Sequence, residues 1–336
     1  MENGRIKMGV IGLGHISQYF IAAIKKNIHC QLVAVCDVKK NVTELYDREG
    51  IATYVDYRQL LLNDDVHAVI ICLPNSLHYK VARDALLMNK HVCCEKPLTT
   101  TLNEAIDLSK LSVEQKMVLF GAFHRRYNKN LLKVMDKLKS TPIAHVEANY
   151  LEKIEEHSFN TDCQWYLDIE LTGCGCIMDN GPNIYDTIAQ FMGNLEVTTV
   201  NIKRALNNNI DLTATVLLMS DQGVPVTANL DWTYEGERKD IIVKFQDGTE
   251  CTIDMLADSQ GFKSSLWHEY EGIIHDFCSR IKLCKTHYDE KTPMNILTSN
   301  TVNLDLHGKE AVDIVRLVCD TYVKEDEQKV NHAKIA

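Results

Sequence analysis

Apolar runs alternate with amphipathic stretches through the first third of the chain. Residues 7–12 read KMGVIG, a short buried strand, and LGHISQYFIAAIKKN follows with apolar residues at helical spacing (Ile16, Phe20, Ala23, Ile24). CQLVAVCD, VHAVIICLP and KMVLFGAFH read as further buried strands, and HVCCEKP is strand-like up to Pro97. SLHYKVARDALLMNK between them is helical, and TTLNEAIDLSKLSVEQ has a threonine cap with Glu104 in its first turn. Strands that are apolar at nearly every position and alternate with helices predict a parallel sheet covered on both faces. The pattern ends near residue 125.

The period then changes. AHVEANYLEK, LEVTTVNIKRA, DLTATVLLMSDQGVPVTANLDWTYEG and KDIIVKFQDGTECTIDM alternate apolar and polar positions, with turn signals at 221–223 and 247–248. They predict a large, mostly antiparallel sheet with one face packed and the other freer. SLWHEYEGIIHDFCSRI and HGKEAVDIVRLVCDTYV add two late helices. The expected class is therefore α/β, with a parallel-sheet domain over residues 1–125, a second α/β domain built on the antiparallel sheet over 126–325, and a charged, frayed tail over 326–336.

Composition narrows the partners. With 336 residues, a formal charge of −10 and no long basic run, the chain is not built to hold nucleic acid as its main partner. No apolar run reaches the ~20 residues of a membrane span, and the polar start lacks a signal-peptide layout, so a cytoplasmic protein is expected. Several of the twelve cysteines (Cys36, Cys72, Cys93, Cys94, Cys319) lie in apolar segments, where they act as small hydrophobes. Cys174 and Cys176 form a C-x-C with Cys163 nearby, but no second pair stands at zinc spacing. We read these cysteines as packing in a tight turn, and no metal is expected.

Gly12-Leu13-Gly14-His15-Ile16-Ser17 fits G-x-G-x-x-small between a strand and a helix. The first glycine permits a tight turn, the second lets a pyrophosphate approach the helix N-terminus, and Ser17 keeps the helix close to the strand. Asp37, at the end of the next strand, suits an acid bonding the adenosine ribose hydroxyls. It would repel a 2′-phosphate, so NAD is favoured over NADP, a preference that Lys39 and Lys40 weaken.

CLPNSLHYKVARDALLMNKHVCCEKPLTTT resembles the T-P-N-x-x-H … G-K-H-V-x-x-E-K-P stretch of the Gfo/Idh/MocA oxidoreductases, which include glucose–fructose oxidoreductase and inositol dehydrogenase. The likeness covers nearly the whole chain, and Glu95-Lys96-Pro97 is its most specific element. It implies a dinucleotide-binding Rossmann domain over 1–125, a substrate-binding and oligomerisation domain over 126–325, and a cofactor shell of Gly12, Gly14, His15, Ile16, Asp37, Leu73, Pro74, Asn75, His78, Glu95 and Lys96. It also implies that Lys96 points to nicotinamide and substrate, where a lysine can hold an oxygen and manage its proton.

TGCGCIMDNGPNIYD (172–186) resembles the family's G-G-G-x-x-x-D-x-G-x-H-x-x-D segment, which opens a helix of the second domain. Gly173, Gly175, Asp179, Gly181 and Asp186 match, Cys174 replaces the middle glycine, and Asn183 stands where the histidine is usual. Asp179 is expected to assist Lys96 and Asn183 to orient a hydroxyl. Trp165, Arg126 and Tyr127 join Lys96, Asp179 and Asn183 as expected substrate contacts; for the basic cluster around Arg126, surface or interface charge is the competing reading. The implied activity is NAD-dependent oxidation or reduction at a secondary alcohol or ketone of a sugar, sugar derivative or cyclitol, in a homo-oligomer (dimer or tetramer). The alternatives are an NAD-dependent glycosidase using transient oxidation, or a non-catalytic dinucleotide-binding sensor, which the missing histidine favours and Lys96 with Asp179 disfavours.

Overall fold

A computed structural model describes residues 4–154, 168–206, 208–289 and 305–335. Two compact units emerge, Met1–Ala122 with Tyr270–Val312, and Phe123–Glu269 with Asp313–Ala336.

The first unit alternates β1 (Ile6–Ile11), α1 (Ser17–Lys26), β2 (Cys30–Cys36), α2 (Lys40–Asp47), β3 (Ala52–Tyr54), α3 (Tyr57–Leu61), β4 (Ala68–Ile71), α4 (Asn75–Leu87), β5 (His91–Glu95), α5 (Leu102–Gln115) and β6 (Leu119–Ala122). The strands run parallel in the order β3-β2-β1-β4-β5-β6. Every residue of β4 is fully buried, as strands covered on both faces must be. The chain order reverses between β1 and β4, and in such sheets ligands bind beyond the carboxyl ends of the strands at that point. Helix α5 starts as its sequence predicts. The Thr101 hydroxyl accepts from the Glu104 N–H at 3.4 Å and donates to the Glu104 carboxylate at 2.9 Å, so two polar groups at the helix start find partners.

The second unit begins with a 3-10 turn (His124–Tyr127) and α6 (Lys129–Ser140), which the apolar pattern alone had not flagged. It continues with β7 (Ile143–Lys153), α7 (Ile169–Thr172), α8 (Cys176–Met192), β8 (Leu195–Arg204), β9 (Asp211–Ser220), β10 (Pro225–Asp231), β11 (Thr233–Phe245) and β12 (Glu250–Asp254). The sheet order is β12-β11-β7-β10-β9-β8, antiparallel except for the β7–β10 pair. The two turns expected from Asp/Gly signals join β9 to β10 and β11 to β12, with Gly223 (φ 74°) and Gly248 (φ 85°) in the left-handed region. Two long helices complete the chain, α9 (Phe262–Asp289) and α10 (Lys309–Ile335).

Helix α10 runs on through the charged stretch after residue 325. Lys329 pairs with Glu325 at 2.9 Å one turn back, and the Gln328 side chain exchanges hydrogen bonds with the Val200 backbone at 2.9 and 3.2 Å. Polar residues with tertiary partners thus extend a helix that composition alone does not favour.

A half-buried histidine makes the first unit sensitive to acid. At the start of β5, His91 Nδ1 accepts the Val118 N–H at 3.0 Å, which requires that nitrogen to be unprotonated. Burial, with a smaller contribution from His67, pushes its pKa down to about 4. An unfolded histidine titrates near about 6.5. Below that pH the unfolded chain binds a proton that the folded chain refuses, so stability falls as pH drops toward 4, by up to about 1.4 kcal/mol per unit. His67, also held low by burial, adds in the same direction. His91→Asn keeps an acceptor and removes the titration, so its Tm should drop less than the parent's between pH 7 and 5. Equal drops in the two proteins would show that His91 is not the group responsible.

Candidate functional site

The glycine turn sits at the end of β1. Gly12 has φ 90°, and a Cβ there would lie 2.4 Å from the Cys72 carbonyl oxygen. Backbone meets backbone between β1 and β4, and only glycine fits. Gly14 is different: a Cβ there meets nothing within 4 Å, so what it leaves clear is open space at the start of α1. Ser17 is 3% exposed and its hydroxyl donates to the Gly14 carbonyl at 2.7 Å, locking the turn. His15 packs edge-on against Tyr19 at 5.8 Å.

Asp37 lies just past β2. One carboxylate oxygen accepts the Leu13 N–H at 2.8 Å and the other accepts the Lys39 N–H at 2.8 Å. An ionised carboxylate has about four acceptor positions, so acceptor capacity remains for two ribose hydroxyls. An open-faced glycine turn at a helix N-terminus, with a carboxylate fixed beside it, fits a dinucleotide with pyrophosphate on the turn and ribose on Asp37.

The loops after β4 and β5 close on each other. Pro74 caps α4, and Asn75, its first residue, is 3% exposed. His78, fully buried, has Nε2 2.8 Å from the Leu73 carbonyl and Nδ1 2.7 Å from the Pro97 carbonyl. The ring thus lies between the two loops; as a neutral imidazole it has one N–H and donates to only one of the two carbonyls. Burial holds its pKa below the ordinary value, against the opposing pull of the two carbonyls. Lys96 follows Glu95 at the end of β5, and the Lys96–Pro97 peptide is cis. The Lys96 N–H donates to the Glu95 carboxylate at 3.0 Å, and the same carboxylate accepts the Tyr270 hydroxyl at 2.8 Å. Tyr270 has no motif to mark it; it comes from α9, 175 positions away.

In the second unit, Gly173 takes φ 89° at the end of α7. A Cβ on Gly175 would meet the Asp211 carbonyl oxygen at 2.2 Å. The small residues here let the start of α8 press on the first residue of β9. Asp211 Oδ2 then accepts the Ile177 N–H at 2.8 Å, and Oδ1 accepts the Tyr322 hydroxyl at 3.1 Å, so Asp211 caps the helix from a distant strand. Burial raises its pKa, against these hydrogen bonds. Cys176 is buried on Asp211 and its thiol is pushed well up by burial. Cys163 and Trp165 lie outside the described residues.

Asp179 stands in the first turn of α8, 8% exposed, where a carboxylate complements the helix dipole. The next residue, Asn180, donates to Glu152 at 2.7 Å, and Glu152 pairs with the fully buried Lys239 at 2.7 Å. Arg126 is engaged at two points with Asp186, one of them Nε to Oδ2 at 3.1 Å. Tyr127, half-buried, closes the 3-10 turn. Asn183 is 2% exposed; its Oδ1 is buried with no hydrogen-bond partner among the described residues, and it lines, with Arg125, Tyr150 and Met255, a cavity of about 10 Å³. Arg125 Nη1 donates to Glu269 at 2.9 Å, where His124 (2.5 Å) and Asn128 (2.6 Å) converge. Burial alone would raise the Glu269 pKa, but Arg125 and His124 outweigh it and hold the carboxyl low.

Residues 6–157 match the model of the GFO/IDH/MocA oxidoreductase family, NAD-binding Rossmann fold. Residues 134–254 match the model of the GFO/IDH/MocA C-terminal domain. The uncharacterized oxidoreductase YrbE of Bacillus subtilis (strain 168) is 26% identical over 203 residues, 60% of this chain and 58% of that protein. Inositol 2-dehydrogenase of Salmonella typhimurium (strain LT2) is 35% identical over 147 residues, 41% of this chain and 43% of that protein. The chain thus spans about half the length of the curated relatives it matches. The crystal structure of D-galactose-1-dehydrogenase from Rhizobium etli superposes with a TM-score of 0.75 over 96% of each chain at 23% identity, a likeness of fold.

The two glycines separate folding from binding. Gly12→Ala forces a backbone clash and a left-handed alanine, so the protein should lose several degrees of Tm or fail to accumulate. Gly14→Ala should keep the parent Tm and lose dinucleotide affinity, read by titration of NADH fluorescence. Gly14→Ala binding NADH as the parent does would remove the turn from the cofactor site. Asn183→Leu deletes a buried acceptor with no partner among the described residues, a group whose burial costs about 1–3 kcal/mol. Its Tm should hold or rise, and a large fall would show that Oδ1 is engaged.

Proposed function

The chain belongs to the GFO/IDH/MocA oxidoreductase family, and on that premise we propose that it is an NAD-dependent dehydrogenase acting on a secondary alcohol of a sugar or cyclitol. One observation carries the reading. The Lys96 backbone lies at the carboxyl end of the parallel sheet, bonded to the Glu95 carboxylate before it and with the buried His78 ring 2.7 Å from the Pro97 carbonyl after it. The same edge carries the open Gly14 turn and the anchored Asp37 carboxylate. The match to an inositol dehydrogenase and the fold shared with a galactose dehydrogenase support the substrate class.

When bound, NAD supplies the hydride acceptor at its nicotinamide ring. The chain's own groups do the rest. Backbone N–H groups of the glycine turn take the pyrophosphate, and Asp37 takes the ribose hydroxyls and disfavours a 2′-phosphate. Lys96 holds the carbinol oxygen and accepts its proton as the carbonyl forms. Asn183 and Arg126 remain the expected substrate contacts of the second unit, Asn183 beside a small cavity and Arg126 braced by the Asp186 carboxylate.

The test is incubation with a panel of inositols, sugars and sugar phosphates, with NAD and NADP in parallel. Net NADH formation, faster than NADPH, is the expected result. Release of a leaving group without net NADH would make the protein a glycosidase, and binding without turnover a sensor. Lys96→Ala should lower turnover by about 10²–10⁴ while NADH affinity stays within a few-fold. Near-parent turnover in folded Lys96→Ala would take the lysine out of the reaction.

A further inference from the structure

The geometry points to Tyr270 as a positioning residue that sets Lys96 through Glu95. The inference rests on the role proposed for Lys96 above. Tyr270 is 1% exposed. Its ring stacks on Tyr19 at 5.5 Å, 27° between planes, and meets Phe20 edge-on at 4.7 Å. Both partners are on α1, the helix that the glycine turn opens. Aromatic contacts of this kind resist rotation of the ring, so the hydroxyl has a fixed direction. It donates at 2.8 Å to one oxygen of Glu95, itself 7% exposed.

The two oxygens of a carboxylate share one rigid plane. Fixing Oε1 therefore limits where Oε2 can lie, and Oε2 accepts the Lys96 N–H at 3.0 Å. A hydrogen bond to a charged acceptor is about twice as strong as a neutral one. In the low-dielectric interior it is stronger again. The line runs from the cofactor-turn helix through a phenol and a carboxylate to the peptide that carries the proposed acid–base group. On the far side of Lys96, the His78 ring lies 2.7 Å from the Pro97 carbonyl. Without the phenol, Glu95 loses one of the bonds that orient it, and the Lys96 side chain starts from a less defined backbone. A displacement of about 1 Å in a reacting group can lower a rate by about 10²-fold.

Tyr270→Phe keeps the ring contacts and removes only the hydroxyl. We expect kcat to fall about five- to thirty-fold, part of the misplacement penalty, with NADH affinity and substrate KM within about two-fold. The readout independent of turnover is the Lys96 backbone amide in the substrate-free protein, observed by NMR of a deuterated sample. Its proton resonance should move and its hydrogen exchange quicken in Tyr270→Phe, and Glu95→Gln should perturb the same amide. In the double variant, Tyr270→Phe should add little to Glu95→Gln, since both act on one bond. An unmoved Lys96 amide in Tyr270→Phe, or fully additive losses, overturns the proposal, as does a Tm loss with that amide unchanged. If the parent protein oxidises nothing on the panel while the amide still moves in Tyr270→Phe, the positioning stands and the dehydrogenase reading falls.

Discussion

The first unit depends on one close approach, the Gly12 backbone against the Cys72 carbonyl where β1 and β4 lie side by side. No side chain fits between them. That contact brings the start of α1 to the sheet edge where the chain order reverses. It also places the loops after β1, β2, β4 and β5 around one crevice. Helix N–H groups, a carboxylate and a lysine then lie at the carboxyl ends of parallel strands, the edge where such sheets bind their ligands. The residues around the crevice are braced from behind. Ser17 locks the turn, His78 lies between two loops, and Tyr270 and Glu95 hold the Lys96 peptide.

The second unit is organised by buried charge. Glu269 collects Arg125, His124 and Asn128. Glu152 joins Lys239 on the sheet to Asn180 on α8, and Asp186 on the same helix holds Arg126. Buried pairs contribute little net stability once desolvation is counted, but breaking one leaves a charge uncompensated. Their effect is to fix which turn of α8 faces which strand. Gly175 sets the depth, because only a residue without a side chain lets the helix start lie on Asp211. Asp179 therefore stands on a helix whose rotation and height are both specified.

Much of this was legible in the chain. The all-apolar strands and intervening helices required a covered parallel sheet, and the alternating segments required a second sheet with one freer face. Thr101, Asp37 and the glycine turns announced themselves because their chemistry is local: a cap, a strand-end carboxylate, a backbone conformation that only glycine adopts cheaply. Glu95-Lys96-Pro97 stood out as a motif. The 3-10 turn and α6 did not, since a helix start set by Asn128 and a distant glutamate has no strong periodic signal.

What the tertiary structure decided is which polar groups have partners. Asn183 and Arg126 carry residue types suited to a substrate, and the fold decides their surroundings: Asn183 is buried on α8 and Arg126 pairs with Asp186. Gly175 appears in the chain only as a motif glycine, and the fold puts the Asp211 backbone against it. Tyr270, Asp211 and Glu269 have no motif around them and become central only because folding brings them to Glu95, Ile177 and Arg125. Local sequence determines periodicity, turn chemistry and the loops that must carry function, because those follow from φ/ψ preference and burial within a few residues. Pairing across tens to more than a hundred positions follows from the packing of whole elements, and that is settled only when the sheets and helices come together.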